Sequence, residues 1–341
     1  MSHEDQPNNE SHEDSVPIPM LVIRSVIGGI FMGLANLVPG ISGGTMLLAS
    51  GVYPRFIQAI AELSTFKFRL RSIAVLAAVV LAALMSIGLL AGGVKELVVN
   101  HRWIMYSLFI GLTLGGVPVI WRMIGSPNRA VWISAAVGFL GMAAIGWMQA
   151  QGATGVGERS GFAFMLVAGV VAASAMILPG ISGGYLFLVM GVYLPILGGI
   201  QALKNAVSAR DFAAAMEPGM NVVLPVGIGV LVGVVGVSNL LKWLLNRYEK
   251  ATLGVLLGLL VGAVAGLWPF QQPVEPVPGD IIKGIVQTVE TIAELDKDDY
   301  PTTYFRPTII QVAGAFGLIV VGLGVTVLVS KVGGGSKEHG S

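Results

Sequence analysis

Apolar residues along the chain fall into long blocks broken by short charged loops, not into the alternation of half-buried strands. The blocks are Ile18 to Val38, Ile73 to Gly93, Trp103 to Ile120, Val131 to Met148, Phe162 to Leu178, Val222 to Leu245, Leu253 to Trp268 and Thr308 to Val329. At about 1.5 Å of rise per residue most of them, as helices, cross a hydrocarbon core of about 30 Å. Two further apolar stretches, Thr45 to Tyr53 and Tyr185 to Tyr193, are too short to do so. Each ends near a proline, Pro54 or Pro195, after roughly 15 Å of helix, about half a membrane. That length predicts re-entrant half-helices.

The two short stretches belong to a repeat. Pro39 to Tyr53 reads PGISGGTMLLASGVY and Pro179 to Tyr193 reads PGISGGYLFLVMGVY, with ten of fifteen positions identical at an offset of 140. A second echo at an offset of 147 matches Gly111, Leu112, Gly115 and Trp121 with Gly258, Leu259, Gly262 and Trp268. Order and spacing are kept, so each half of the chain is one structural unit. The expected fold is an all-α polytopic membrane protein of two inverted repeats, each a re-entrant helical hairpin plus about three transmembrane helices. The repeats are expected over 18–149 and 150–330, with a disordered acidic tail over 1–17 and a flexible Gly-Ser tail over 331–341.

Composition agrees with the pattern. Hydrophobic residues make up 54%, charged residues 11%, and mean hydropathy is +0.80, whereas a soluble domain carries about 25% charged residues. A net charge of +1 implies no polyanion-binding surface and no nucleic-acid partner, and the absence of cysteine removes disulfides and thiolate chemistry. The acidic start holds Glu4, Asp5, Glu10, Glu13 and Asp14 without Lys or Arg, which is not a signal-peptide pattern.

Loop charge sets the orientation, because cytoplasmic loops are enriched in Lys and Arg. If the first hairpin returns to the side from which it started, Arg55, Lys67, Arg69 and Arg71 lie inside, as do Arg122, Arg129, Lys242, Arg247 and Lys250. The long segment from Pro269 to Arg306, with seven acids against three bases, then lies outside. A full first crossing would instead turn Lys67, Arg69 and Arg71 outward. Six crossings and two hairpins of opposite entry follow.

A glycine turn inside a membrane leaves backbone N–H groups that lipid does not satisfy, so it persists only where it is buried in protein or lines a cavity. Proline ends the incoming helix, glycine permits positive φ and close approach, and the outgoing half-helix starts near Gly43 or Gly183. Its free N–H groups and dipole favour an anion, and Ser42 and Ser182 add hydroxyl donors. The candidate binding residues are therefore Pro39, Gly40, Ser42, Gly43, Gly44 and Thr45 in the first turn and Pro179, Gly180, Ser182, Gly183, Gly184 and Tyr185 in the second. One such turn reads equally well as a packing kink; two at matching positions of an inverted repeat follow the broken-helix plan of secondary transporters.

Other features are weighed differently. Gly254, Gly258, Gly262 and Gly266, with Ser107, Gly111 and Gly115 in the first half, form stripes suited to close helix packing. Arg24 lies within an apolar run, where a charge has a functional role or snorkels to the interface. Arg55 follows the first half-helix and joins Arg24 as a candidate; with Glu62 it also reads as interfacial. The six tryptophans lie near block ends, as interface anchors do. His3, His12, His101 and His339 lie in tails and a loop, and no intramembrane carboxylate pair or metal spacing is present, so no catalytic or metal-ligating residue is expected. No cofactor is assigned, coupling to a proton or ion gradient stays open, and so does the oligomeric state.

The duplicated PGISGG, each followed by an apolar half-helix ending in Gly-Val-Tyr, resembles the bacterial polyprenyl-phosphate translocases, chiefly of undecaprenyl phosphate. The resemblance extends over Gly33 to Tyr53, Gly111 to Trp121, Ile177 to Tyr193 and Gly258 to Pro269. It departs at the second turn, where Gly184 is followed by Tyr185 and relatives often carry serine. The resemblance implies return of a lipid carrier from the outer to the inner leaflet of the bacterial cytoplasmic membrane. The partners are then that lipid and the surrounding membrane lipids. Only the phosphate head needs a path, since an unpaired ion in hydrocarbon costs tens of kcal/mol by Born estimates. Charge-assisted bonds at about 1.5–3 kcal/mol each offset part of that. A carrier of a small soluble anion, and a membrane enzyme acting on lipid phosphate, remain the alternatives.

Overall fold

The computed structural model describes residues 17–38, 41–150, 161–181 and 183–331, apart from 283, 284, 294, 296, 298 and 299. Both expected tails therefore lie outside the described residues, except Pro17 and Lys331. The protein is an all-α polytopic membrane protein. Seven stretches among the described residues are long and apolar enough to cross a membrane: Ile18–Asn36, Leu70–Asn100, Arg102–Ile124, Arg129–Met148, Phe212–Arg247, Glu249–Gly266 and Ile309–Val329.

The first half consists of α1 (Ile18–Asn36), α2 (Gly43–Ala49), α3 (Tyr53–Ser64), α4 (Leu70–Asn100), α5 (Arg102–Leu114), α6 (Gly116–Ile124) and α7 (Arg129–Ala150). The second half repeats the plan with α8 (Phe162–Ile177), α9 (Gly183–Val189), α10 (Tyr193–Ser208), α11 (Phe212–Pro218), α12 (Leu224–Arg247) and α13 (Glu249–Gly266). A five-residue π-turn, Gly219–Val223, joins α11 to α12 directly after Pro218; proline removes one backbone donor, and the wider turn absorbs the mismatch. Between α13 and the last helix, α15 (Ile309–Lys331), lie two short β-ribbons and the small helix α14 (Val289–Ala293). One ribbon pairs β1 (Gln271–Pro273) with β4 (Thr302–Tyr304), the other β2 (Ile281–Ile282) with β3 (Ile285–Val286).

The half-helices begin at Gly43 and Gly183, where the glycine turns place them, but stop earlier than their prolines suggest. Each ends after seven residues, and Gly51 and Gly191, both at φ +72°, take the chain through a left-handed turn. Pro54 instead occupies the first turn of α3, where its missing N–H costs nothing.

Contacts trace the path of each hairpin. Gly43 lies against Met32 and Asn36 near the end of α1, Gly28 lies against Ser50 and Val52, and Arg55 shares a recess with Leu21 at the start of α1. The chain therefore returns to the end at which α1 began. α4 then runs alongside α1 in the same direction, with Gly29 against Val79 and Gly33 against Ala83. The second half repeats this: Val192 packs with Met165 and Ala168, while Gly169 meets Val226 and Gly233 meets Val170.

The last helix of each half packs on the other half. α7 lies along α13, and α15 lies along α5. In lipid there is no hydrophobic drive between helices, so close backbone approach through small residues does the work. Gly254, Gly258 and Gly262 receive Val131, Ala135 and Met142, while Gly111 and Gly115 receive Ile319 and Thr326. Gly266 lies on the sequence stripe, yet nothing faces it within 4 Å. The outer surfaces of α4, α7, α12 and α15 expose apolar side chains, from Leu89 and Trp147 to Leu231 and Phe316, as a lipid-facing belt requires.

Candidate functional site

Helix α8 ends at Ile177 because Pro179 cannot continue it, and its last carbonyls need partners from elsewhere. They find them in the first half of the chain. Tyr53 donates its hydroxyl to the Ile177 carbonyl at 2.8 Å, and Ser42 Oγ donates to the Leu178 carbonyl at 3.4 Å. The N–H of Gly180 donates to Thr45 Oγ1 at 2.8 Å. Gly180 sits at φ +92°, and a Cβ there would lie 2.8 Å from the Leu259 carbonyl; both facts demand glycine. Gly44 presses on the same helix end, since a Cβ there would lie 2.8 Å from the Met176 carbonyl.

The two glycine turns, 140 residues apart in sequence, thus meet in space. Together they line a cavity of about 280 Å³ bounded by Asn36, Ser42 and Gly43 on one side and by Met176, Gly183 and Phe187 on the other. Ala172, Ala173 and Val230 close it with apolar surface. None of the described residues lining it is charged. Ser42 is buried and does not cap α2 with its side chain. What the cavity offers an anion is therefore neutral: a hydroxyl, an amide and backbone.

Each expected site residue has a definite place. Ser42 and Gly43 line the cavity, Gly44 and Thr45 hold the second turn, and Pro179 and Gly180 are buried beside them. Gly183 lines the cavity, and Gly184 and Tyr185 lie in the first turn of α9. Pro39, Gly40 and Ser182 lie outside the described residues. Arg24 and Arg55 are not among the cavity residues. Arg24 is half-buried on α1, two turns before Met32, and Arg55 donates to Gln58 Oε1 at 3.1 Å in the recess at the start of α1. Glu62 is 5% exposed, and Gln58, Arg69 and Ser72 all donate to its carboxylate.

Two residues escaped the sequence reading. Asn36 stands in the cavity, its amide beside Gly43; a polar residue near the end of an apolar run was the signal. Tyr53 shows as the end of the repeated Gly-Val-Tyr, but its hydrogen bond to the other half carries no local mark.

No solved structure matches the chain. Its sequence is 28% identical over 268 residues to a polyprenyl-phosphate transporter of Vibrio cholerae, covering 74% of this chain and 80% of that protein. It is 30% identical over 253 residues to a polyprenyl-phosphate transporter of Staphylococcus aureus, covering 72% of this chain and 86% of that one. Residues 32–278, which contain both glycine turns and both halves of the cavity, match the VCA0040-like, undecaprenyl phosphate translocase-like family, and the chain belongs to that family.

Proposed function

We propose that this protein is a transporter that moves polyprenyl phosphate between the leaflets of the bacterial cytoplasmic membrane, holding the phosphate head between its two glycine turns. The observation that carries this reading is the meeting of the turns across Gly180 and Thr45 on one shared cavity. Membership of the family supports the substrate class.

The path of the chain supports re-entrant hairpins of opposite entry. The end of α3 meets α12 through Asn239 and Ser64, and the end of α6 meets the start of α13 through Lys250 and Ser126. α12 thus ends on the face where α3 ends and α1 begins, and α8, which runs alongside α12 in the same direction, starts from the opposite face, the arrangement in which one site is offered to each side in turn. The neutral lining suits transport, because a carried group must bind well enough to enter and weakly enough to leave. The prenyl tail stays in lipid throughout, so the protein supplies a path only for the head.

The test is leaflet exchange of labelled polyprenyl phosphate in liposomes containing the purified protein, with competitors added. Exchange should be accelerated by the protein and blocked by unlabelled polyprenyl phosphate. The neutral polyprenol should compete far less. Equal competition by the alcohol would overturn the phosphate site; equal competition by inorganic phosphate would make the protein a carrier of a soluble anion.

A further inference from the structure

A second cavity of about 300 Å³ lies away from the turns, between the connection from α3 to α4 and the end of α12. Its chemistry is the opposite of the first. Lys67, Arg69 and Lys242 line it, with Glu62 as the single carboxylate. Glu62 is already occupied, with Gln58 and Arg69 on Oε1 and Ser72 on Oε2. Among the described residues neither Lys67 nor Lys242 has a carboxylate partner. The two walls come from different halves of the chain and are tied where Asn239 donates to Ser64 Oγ at 2.8 Å.

Trp243 lines this cavity as well, and exposed apolar residues alternate in sequence with its lining residues Lys67 and Arg69. Residues 66–71 read Phe-Lys-Phe-Arg-Leu-Arg, an alternation of apolar and cationic side chains. Phe66, at φ +57° and 82% exposed, meets Phe68 edge to face at 6.3 Å, and Leu70 and Trp243 are also exposed. Cations lining a recess, with exposed aromatic side chains next to them in sequence, match an amphiphile that carries phosphate at one end and a hydrocarbon chain at the other.

We propose that this recess is a second phosphate site for the transported lipid, at which Lys67 and Lys242 hold the head on the basic side of the membrane while its first isoprene units lie over Phe66, Phe68 and Trp243. The choice of lipid rests on the function proposed above; the cationic recess itself does not. The two sites share α12, with Val230 at the first and Lys242 at the second, a separation of about 18 Å along the helix. The central site is neutral and the terminal one cationic, so a dianionic head gains on leaving the middle for the basic end.

Native mass spectrometry of the full chain with geranylgeranyl phosphate tests this. The parent should bind two lipids per chain, the paired variant Lys67→Gln with Lys242→Gln one, and Lys67→Arg with Lys242→Arg two again. The arginine pair guards against loss through misfolding. Affinity at the site should fall at least ~10-fold in the glutamine pair, as expected for a lost bond to a charged group. Asn36→Leu should remove the other lipid and leave this one. Two lipids retained in the glutamine pair would overturn the second site and leave the central one standing. One lipid in the parent, lost in the glutamine pair and kept in Asn36→Leu, would overturn the central site alone. Displacement by phosphatidylglycerol as effective as by geranylgeranyl phosphate would make the recess a resident phospholipid site and overturn its assignment to the cargo. Equal displacement by inorganic phosphate would overturn the role of the aromatic side chains.

Discussion

Thr45 Oγ1 accepts the main-chain N–H of Gly180 at 2.8 Å, joining two glycine turns 135 residues apart at these positions. Thr45 is 2% exposed, so water does not replace the bond if the hydroxyl is lost. Thr45→Val keeps shape and removes the acceptor, leaving a buried donor orphaned at a cost of about 1–3 kcal/mol. Thermal unfolding in detergent should show this loss, with leaflet exchange falling as well. Thr45→Ser should behave like the parent; a valine variant as stable as the parent would mean that the turns are not held together here.

The glycine stripes allow a sharper contrast. A Cβ at Gly258 would drive into the Ala135 carbonyl and lie 2.8 Å from the Phe139 nitrogen, whereas at Gly266 it meets nothing. Gly258→Ala should therefore lower stability by about 1–3 kcal/mol through overpacking, and Gly266→Ala should be neutral or slightly stabilising. Stability curves of the two variants, measured side by side, decide the point.

Asn36 and Met176 occupy equivalent places at the ends of α1 and α8, one offering an amide to the cavity and the other an apolar thioether. Asn36→Met makes the first turn resemble the second without changing size greatly. Polyprenyl-phosphate affinity should fall about 10- to 150-fold, the cost of one bond to a charged group, while polyprenol binding stays constant. Ser42→Ala should have a smaller effect, because its hydroxyl already donates to the Leu178 carbonyl. A parallel drop for the alcohol would place Asn36 in packing and not in head recognition.

Topology is open to direct measurement because the chain has no cysteine of its own. Single cysteines in place of Phe66 and Ser126 should be protected from an impermeant reagent applied outside intact cells, and one in place of Glu290 should react. All three positions are exposed in the protein, so protection reports the side of the membrane. Outside labelling at position 66 would mean that α1 crosses fully and that the first hairpin does not return.

Much of this was legible in the sequence because the membrane imposes it. A long apolar block in lipid must be a helix to satisfy its own backbone, so α4, α7, α12 and α15 follow from composition and length. The starts of α2 and α9 were equally legible, since a Pro-Gly turn followed by Gly-Gly dictates local backbone geometry. Their ends were not: Gly51 and Gly191, not the prolines, stop them, and glycine takes positive φ only where the surrounding packing asks for it. The partnering was beyond local reading altogether. That Ser42, Thr45 and Tyr53 close the broken end of α8, and that α7 and α15 pack on the other half, are contacts of high sequence separation, chosen by shape in three dimensions. Asn36 shows the boundary well, because its residue type marked it as unusual, but only the fold set its amide beside Gly43 in a cavity whose other wall is supplied by the second half of the chain.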